Sequence, residues 1–283
     1  MVEIKEVTNL DFEKIYPLLK MFNDESLSIE KWKVIFDKIS YSDESSTYGF
    51  FIEENSKAVG YVGLIKSRRL INGELRSFHN ITSLITLPKY RNYSLKMLGK
   101  VFKVKNTTIT SFTPNSIAFE LYKALGMKEL ERNQILVLPL FRLFTHGKHF
   151  FKKDEIKSQL VEKEANILMD HYNANCLHYG FKTLNNKYIY CIFKKTKRKG
   201  LPFLDLHYSN DYDLVAKHIY SFAFRICFKF RAIAIILEKR FFERRIDCSF
   251  NFSIKSKECR LYKSSDLSPK DIDLLYSELQ FLH

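Results

Sequence analysis

The sequence is poor in the residues that turn a chain sharply: its 283 residues include 9 glycines and 6 prolines. Few turns can therefore rely on glycine's access to positive φ, and a glycine-free turn is no sign of damage in this chain. Cysteine is equally uninformative as a framework. Cys176, Cys191, Cys227, Cys248 and Cys259 all lie in the second half, with no Cys-x-x-Cys spacing and an odd total. That argues against a disulfide scaffold and for small apolar side chains in a reducing compartment. There is no P-loop, no Gly-x-Ser-x-Gly and no Gly-x-Gly-x-x-Gly. His146 and His149 stand at i, i+3 with no further ligand at a usable spacing, so no metal is expected. Long apolar runs are missing too: "VAKHIYSFAFRICFKFRAIAIIL" is broken by Lys217, Arg225, Lys229 and Arg231 and makes a poor membrane span. The opening "MVEIKEVTNLDFEKI" carries acidic residues where a signal peptide would be apolar, and the expected location is cytoplasmic.

What is abundant is apolar and positive. Hydrophobic residues make up 46%, including 25 Phe and 16 Tyr, enough for a packed core. The net charge of +14 points to an anionic partner, whether nucleic acid, a membrane surface or a phosphorylated small molecule, or else to a lysine-rich solvated surface. "KKTKRKG", Lys194 to Gly200, reads as a charged hairpin turn suited to phosphate, a diphosphate substrate or lipid headgroups if it is more than solvated loop. "FFERR", Phe241 to Arg245, mixes aromatics with arginine at a strand end.

Periodicity predicts strands and helices in the order β-α-α-β-β-β-α-β-α-β over residues 1–140, with "LERNQILVLPL" as the closing strand. Residues 141–175 read as a mostly helical connector. Residues 176–283 repeat a strand-hairpin-strand-helix-strand order, and "SPKDIDLLYSELQFLH" reads as a final helix opened by Ser268 and Pro269.

Two motifs in the first half carry a resemblance. "LITLPKYRNYSLKML" is a strand, a proline and a Tyr-Arg pair leading into a helix; "NSIAFELYKALGM" is a helix in which Asn115, Ala118, Leu121, Tyr122, Leu125 and Gly126 keep register. Together they resemble the GCN5-related N-acetyltransferase (GNAT) superfamily. The resemblance implies an α/β (α+β) fold of two GNAT-like halves, each a mixed, mostly antiparallel sheet flanked by helices. Residues 1–140 would bind acyl-CoA, and residues 176–283 would be a degenerate copy lining the acceptor pocket. The phosphate turn of the family carries glycines where this chain has Ser94 and Lys96, so Arg91, Asn92, Tyr93, Ser94, Leu95 and Lys96 are expected to hold the pyrophosphate by a helix N-terminus and a cation. Leu84, Ile85, Thr86 and Leu87 would supply the amide that polarises the thioester. Tyr122 would protonate the leaving sulfur and Asn115 would help hold the pantetheine arm.

An acyl transfer to an amine also needs a base. His79 has a suitable unperturbed pKa and Glu74 is close by in sequence; each has a plain alternative, a hydrogen-bonded strand histidine and a charged hairpin loop. Tyr122 could equally be a core residue. The glycine-free motif further resembles tandem GNAT-like proteins of bacterial surface-polysaccharide synthesis. That implies transfer of an acetyl or short hydroxyacyl group from coenzyme A to a nucleotide-linked amino sugar, requiring neither nucleic acid nor a membrane. The rival expectations are a tandem aminoacyl transferase using aminoacyl-tRNA and a non-catalytic protein of the same shape.

Overall fold

A computed structural model describes residues 1–25, 27–38, 40–41, 47–139, 147–172, 174–242 and 251–282. Along the first stretch run β1 (Val2–Glu6), α1 (Phe12–Leu19), α2 (Ile29–Lys38), β2 (Ser40–Tyr41), β3 (Gly49–Glu54), β4 (Lys57–Ile71) and β5 (Glu74–Thr86). They are followed by α3 (Arg91–Phe102), β6 (Thr107–Ser111), α4 (Ser116–Ala124) and β7 (Lys128–Glu129). Next come β8 (Asn133–Val137), β9 (Lys148–Phe150), α5 (Lys153–Lys157), α6 (Glu162–His171), β10 (Leu177–Lys182) and β11 (Tyr188–Arg198). The chain ends with β12 (Leu201–Ser209), α7 (Tyr212–Phe230), β13 (Ala234–Glu238), β14 (Asn251–Lys255), β15 (Leu261–Lys263) and α8 (Glu278–Phe281).

The strands form two mixed, mostly antiparallel sheets, each flanked by helices. One has the order β1-β3-β4-β5-β6-β15-β7, with β2 beside β4; the other runs β14-β8-β13-β12-β11-β10-β9. This is the α/β class and paired-sheet layout expected from the sequence.

Asparagine replaces the scarce glycine at many turns. Asn55, Asn72, Asn106 and Asn186 all adopt positive φ, which asparagine tolerates better than other side chains. Asn72 and Gly73 make the two-residue turn joining β4 to β5. Gly126, at φ 88°, ends α4 in a Schellman motif: its N–H donates to Lys123 and that of Met127 to Tyr122, at 2.9 and 3.0 Å.

The chain divides into compact units at different places from the sequence expectation. One unit comprises Met1–Leu130, Glu258–Asp271 and Tyr276–His283; the other comprises Glu131–Lys257 and Ile272–Leu275. β8, expected to close the first half, pairs with β13 and β14 in the second sheet. There its Val137 is wholly buried in the core that α7 covers. The stretch expected as a connector supplies β9 to the edge of that same sheet. The expected C-terminal helix is interrupted: Ser268 closes a single turn with Asp271, and Tyr276 adopts φ 52° before the short α8. A helix cannot continue through a left-handed residue, and the segments on either side belong to different units.

Candidate functional site

The first sheet forks. β5 pairs with β4 along its whole length, from Ile71↔Glu74 to Gly60↔Thr86. Its parallel pairing with β6 stops after Asn80↔Thr110. From Ile81 to Thr86 the other edge of β5 has no strand beside it among the described residues, leaving main-chain groups available to a ligand. A register shift lies at the start of this free edge: Gly63 faces Ser83 and Leu64 faces Ile81, so Thr82 is bulged out. Gly63 makes room for it. A Cβ there would lie 2.4 Å from Thr82 Oγ1 and 2.7 Å from Tyr61 Oη.

Leu84, Ile85, Thr86 and Leu87 are half-buried along this edge. Leu87 donates to Val59 O at 2.9 Å, ending the strand, and its extended backbone caps the helix. Pro88 then takes the first helical position and a 3-10 turn, Pro88–Tyr90, runs directly into α3. Arg91 to Lys96 are therefore the first residues of a helix and not a separate turn. That explains the absent glycines, because none of these residues has a positive φ. Ser94 Oγ donates to Thr86 Oγ1 at 2.9 Å and pins the helix to the strand end. Arg91, Asn92, Leu95 and Lys96 are exposed, and Tyr93 is half-buried with Lys96 Nζ 5.3 Å above its ring. The amides of Tyr90 and Arg91 are already taken, donating to Leu87 O and Pro88 O, so it is the positive end of the helix dipole, joined by these cations, that makes a positive mouth beside the free edge.

Tyr122, Leu84, Leu87 and Tyr93 meet in one apolar cluster, in which Tyr122 is 2% exposed. Burial first, and the charge of Glu278 second, push the Tyr122 pKa up, so its hydroxyl stays protonated. Asn115 is the cap of α4, its Oδ1 accepting from Ala118 N at 2.9 Å. This occupies the side-chain oxygen and leaves the amide nitrogen for the part in holding a pantetheine arm that the resemblance implies.

Glu278 is the residue that sequence reading missed. It is 1% exposed, and its Oε1 accepts from Phe112 N at 2.8 Å, Thr113 N at 2.9 Å and Thr113 Oγ1 at 3.1 Å, just past the end of β6. Its own N–H donates to Asn80 Oδ1 at 3.1 Å, while Asn80 Nδ2 donates to Thr110 Oγ1 at 3.1 Å. The carboxyl thus sits where β5 and β6 part, anchored to the last residue pair that joins them. Its Oε2 is buried with no hydrogen-bond partner. Burial raises the carboxyl pKa, and hydrogen bonding by Phe112, its own main chain, Thr113 and Asn80 opposes that shift. The one signal in the sequence is an acid set within the apolar run "DLLYSELQFL".

His79 and Glu74 lie elsewhere on β5. His79 is one residue before the parting, on the face opposite Asn80, since side chains alternate along a strand. It lines a cavity of about 270 Å³ with Lys66, Ser67, Ser77 and Phe78. Burial and the Lys66 ammonium hold its pKa down at about 4, so it is a neutral, weak base at pH 7, and its Nδ1 has no partner. Glu74 is exposed at the hairpin turn and paired with Arg76. At roughly 3.3 Å per residue it stands about 30 Å along the strand from Leu84.

Among the described residues no group of three His, Cys, Asp or Glu could hold a metal ion. His146 and Glu243 to Arg245 of the "FFERR" stretch lie outside the described residues.

The sequence matches no protein-family model and no curated protein. The fold is similar to solved structures. A GCN5-related N-acetyltransferase from Anabaena variabilis superposes with a TM-score of 0.63 at 10% identity, over 94% of this chain and 73% of that one. A probable N-acyltransferase from Enterococcus faecalis V583 gives 0.60 at 13% identity, over 93% and 73%. A tandem GNAT protein from the clavulanic acid biosynthesis pathway gives 0.51 at 8% identity, over 95% and 100%. The structural neighbours are GNAT-type proteins, some of them tandem, and at these identities the likeness is one of fold.

Proposed function

We propose that the protein is an acyl-CoA-dependent N-acyltransferase whose reaction takes place at the fork between β5 and β6. One observation carries this reading: at the point where β5 loses its parallel partner lies a buried carboxyl with an unpartnered oxygen, near enough to the buried, protonated Tyr122 for its charge to raise that hydroxyl's pKa. The free edge of β5 offers main-chain groups to the thioester arm, and the start of α3 offers the positive end of its dipole and the exposed Arg91 and Lys96 to its phosphates.

In this reading Glu278 accepts a proton from the acceptor's ammonium. The freed amine forms a C–N bond to the acyl carbon as the C–S bond breaks. Tyr122 supplies a proton to the departing sulfur and recovers one from the nitrogen, leaving an amide and a free thiol. The proton taken by Glu278 passes to solvent. Residues Leu84 to Leu87 polarise the carbonyl, Arg91 to Lys96 hold phosphate, and the amide nitrogen of Asn115 is available to the pantetheine arm. His79, held near pKa 4 on the opposite face of β5, is the weaker candidate base.

The acceptor we favour is an amino sugar carried on a nucleotide, destined for a surface polysaccharide. The glycine-free motif and the net charge of +14 support it, because a nucleotide-linked sugar brings phosphates of its own. Calorimetric titration with CoA and acetyl-CoA at two salt concentrations tests the reading. Micromolar binding that survives moderate salt supports it, and a screen of amino-sugar nucleotides identifies the acceptor. Absence of CoA binding together with salt-sensitive binding of tRNA would transfer support to the aminoacyl-tRNA alternative.

A further inference from the structure

The lysine-rich hairpin has no part in that reaction, yet its placement is specific. β11 and β12 join at Lys199 and Gly200, both with positive φ, and Lys197 faces Pro202 across the pair. Alternation puts Lys195 and Lys197 on the same face as Cys191 and Phe193, which are core residues beneath α7, and Lys199 follows in the turn. All three lysines are exposed. Arg198 points the other way and is engaged with Asp205 and Gln134, at 3.6 and 3.1 Å.

The C-terminal end of α7 reaches the same tip. Ile233 N donates to Pro202 O at 2.9 Å, and Ala234 pairs with Phe203 in the parallel ladder. Arg225, Lys229 and Arg231 are exposed there and line a shallow hollow of about 710 Å³ with Phe151, Phe224 and Phe228. Phe228 is 79% exposed and stacks on Phe224 at 6.2 Å, while Leu201 and Ile233 are 51% and 41% exposed. Leu201 pairs with Arg198 and shares its face, so the hairpin tip and the end of α7 together bring six cations and three exposed apolar side chains to one end of the second unit.

We propose that this end docks on an anionic lipid bilayer, with Phe228, Leu201 and Ile233 entering the interface and the six cations meeting lipid phosphates. The charge pattern selects this occupant. A second copy would set six like charges against six. A nucleic acid would match the charge and stack on the phenylalanines, but would gain nothing from Leu201 and Ile233. An anionic bilayer uses both kinds of group. No described helix is long and apolar enough to cross a membrane, so the attachment is peripheral. It does not depend on the acyl-transfer reading.

Flotation of the full chain with vesicles of phosphatidylcholine, alone or mixed with phosphatidylglycerol, tests it. The chain should float only with the mixed vesicles, and less at high salt. Phe228→Ser should lower partitioning roughly tenfold. Lys197→Gln and Arg231→Gln should each lower it about fivefold. Every altered side chain is exposed, and far-UV circular dichroism checks that the fold is kept. Equal flotation with neutral vesicles, or none with either, overturns the proposal. So does binding that all three variants retain, or a tighter affinity for a single-stranded oligonucleotide that Phe228→Ser leaves unchanged.

Discussion

Replacing Glu278 by Gln separates proton transfer from architecture. The side-chain oxygen that accepts from Phe112 N, Thr113 N and Thr113 Oγ1, at 2.8, 2.9 and 3.1 Å, is retained in glutamine. The amide nitrogen takes the place of the unpartnered Oε2, with almost no change of volume. Exchanging a buried ionisable group for a buried amide with one unpaired donor side should change stability by only about 1 kcal/mol. Glutamine cannot take up the ammonium proton, so transfer should slow by about 10²- to 10⁴-fold, equivalent to about 3–5 kcal/mol in the barrier. Glu278→Ala differs: it leaves the amides of Phe112 and Thr113 without their acceptor, at about 1–3 kcal/mol each, and should destabilise the fold as well. The assay is thiol release from acetyl-CoA in the presence of an amine acceptor, run beside CoA calorimetry and thermal unfolding. The pH dependence adds a second readout. Burial raises the carboxyl pKa, so the folded chain holds that proton more tightly than the unfolded chain. Stability should therefore fall as pH rises from 4.5 through the raised value, and Glu278→Gln should abolish that slope. A Gln variant that transfers acyl groups within a factor of about two of the parent, against the 10²-fold minimum for a lost base, would refute the base assignment. Glu278 would then be a clamp on the end of β6.

Three further outcomes are expected. Tyr122→Phe should preserve CoA affinity, because the ring stays in its cluster, while slowing thiol release by at least about tenfold; equal loss of binding and rate would make Tyr122 a packing residue. His79→Gln should flatten the acid limb of stability. The parent's pKa of about 4 lies below the usual 6.5, so the unfolded chain takes up the proton first, and stability present above pH 6.5 is lost as pH falls toward 4. That is about 3 kcal/mol from this one group, measurable as the difference between the two urea-unfolding profiles across pH. Gly63→Ala should destabilise by about 1–3 kcal/mol through overpacking; its new methyl meets Thr82 Oγ1 at 2.4 Å, so adding Thr82→Ala should recover part of the loss in thermal melts, and additive losses would exclude that contact.

The sequence by itself determined the local elements. The α4 segment was legible because its cap at Asn115, its helical spacing through Tyr122 and its end at Gly126 all depend on neighbours within a few residues. The β4–β5 hairpin was legible only as a charged loop around Glu74; the structure sets its two-residue turn at Asn72-Gly73. The stretch from Leu84 to Leu98 was legible as strand, proline and helix, but the length of the turn was not. Pro88 suits a helix start as well as a loop, and only the packing of Ser94 against Thr86 fixes the first.

Strand partnership was decided by the tertiary structure. Alternation identifies β8 as a strand without saying which sheet receives it, because hydrogen bonds between strands are made across unlimited sequence separation. The same holds for the fork. That β5 and β6 part after Asn80 depends on where two strands diverge in space. Glu278, 198 residues from Asn80 in sequence, joins the candidate site only because the chain returns its last segment to the first unit. Burying that carboxyl away from water, with one oxygen satisfied by main-chain amides and the other left without a partner, is what gives an ordinary glutamate its distinctive chemistry.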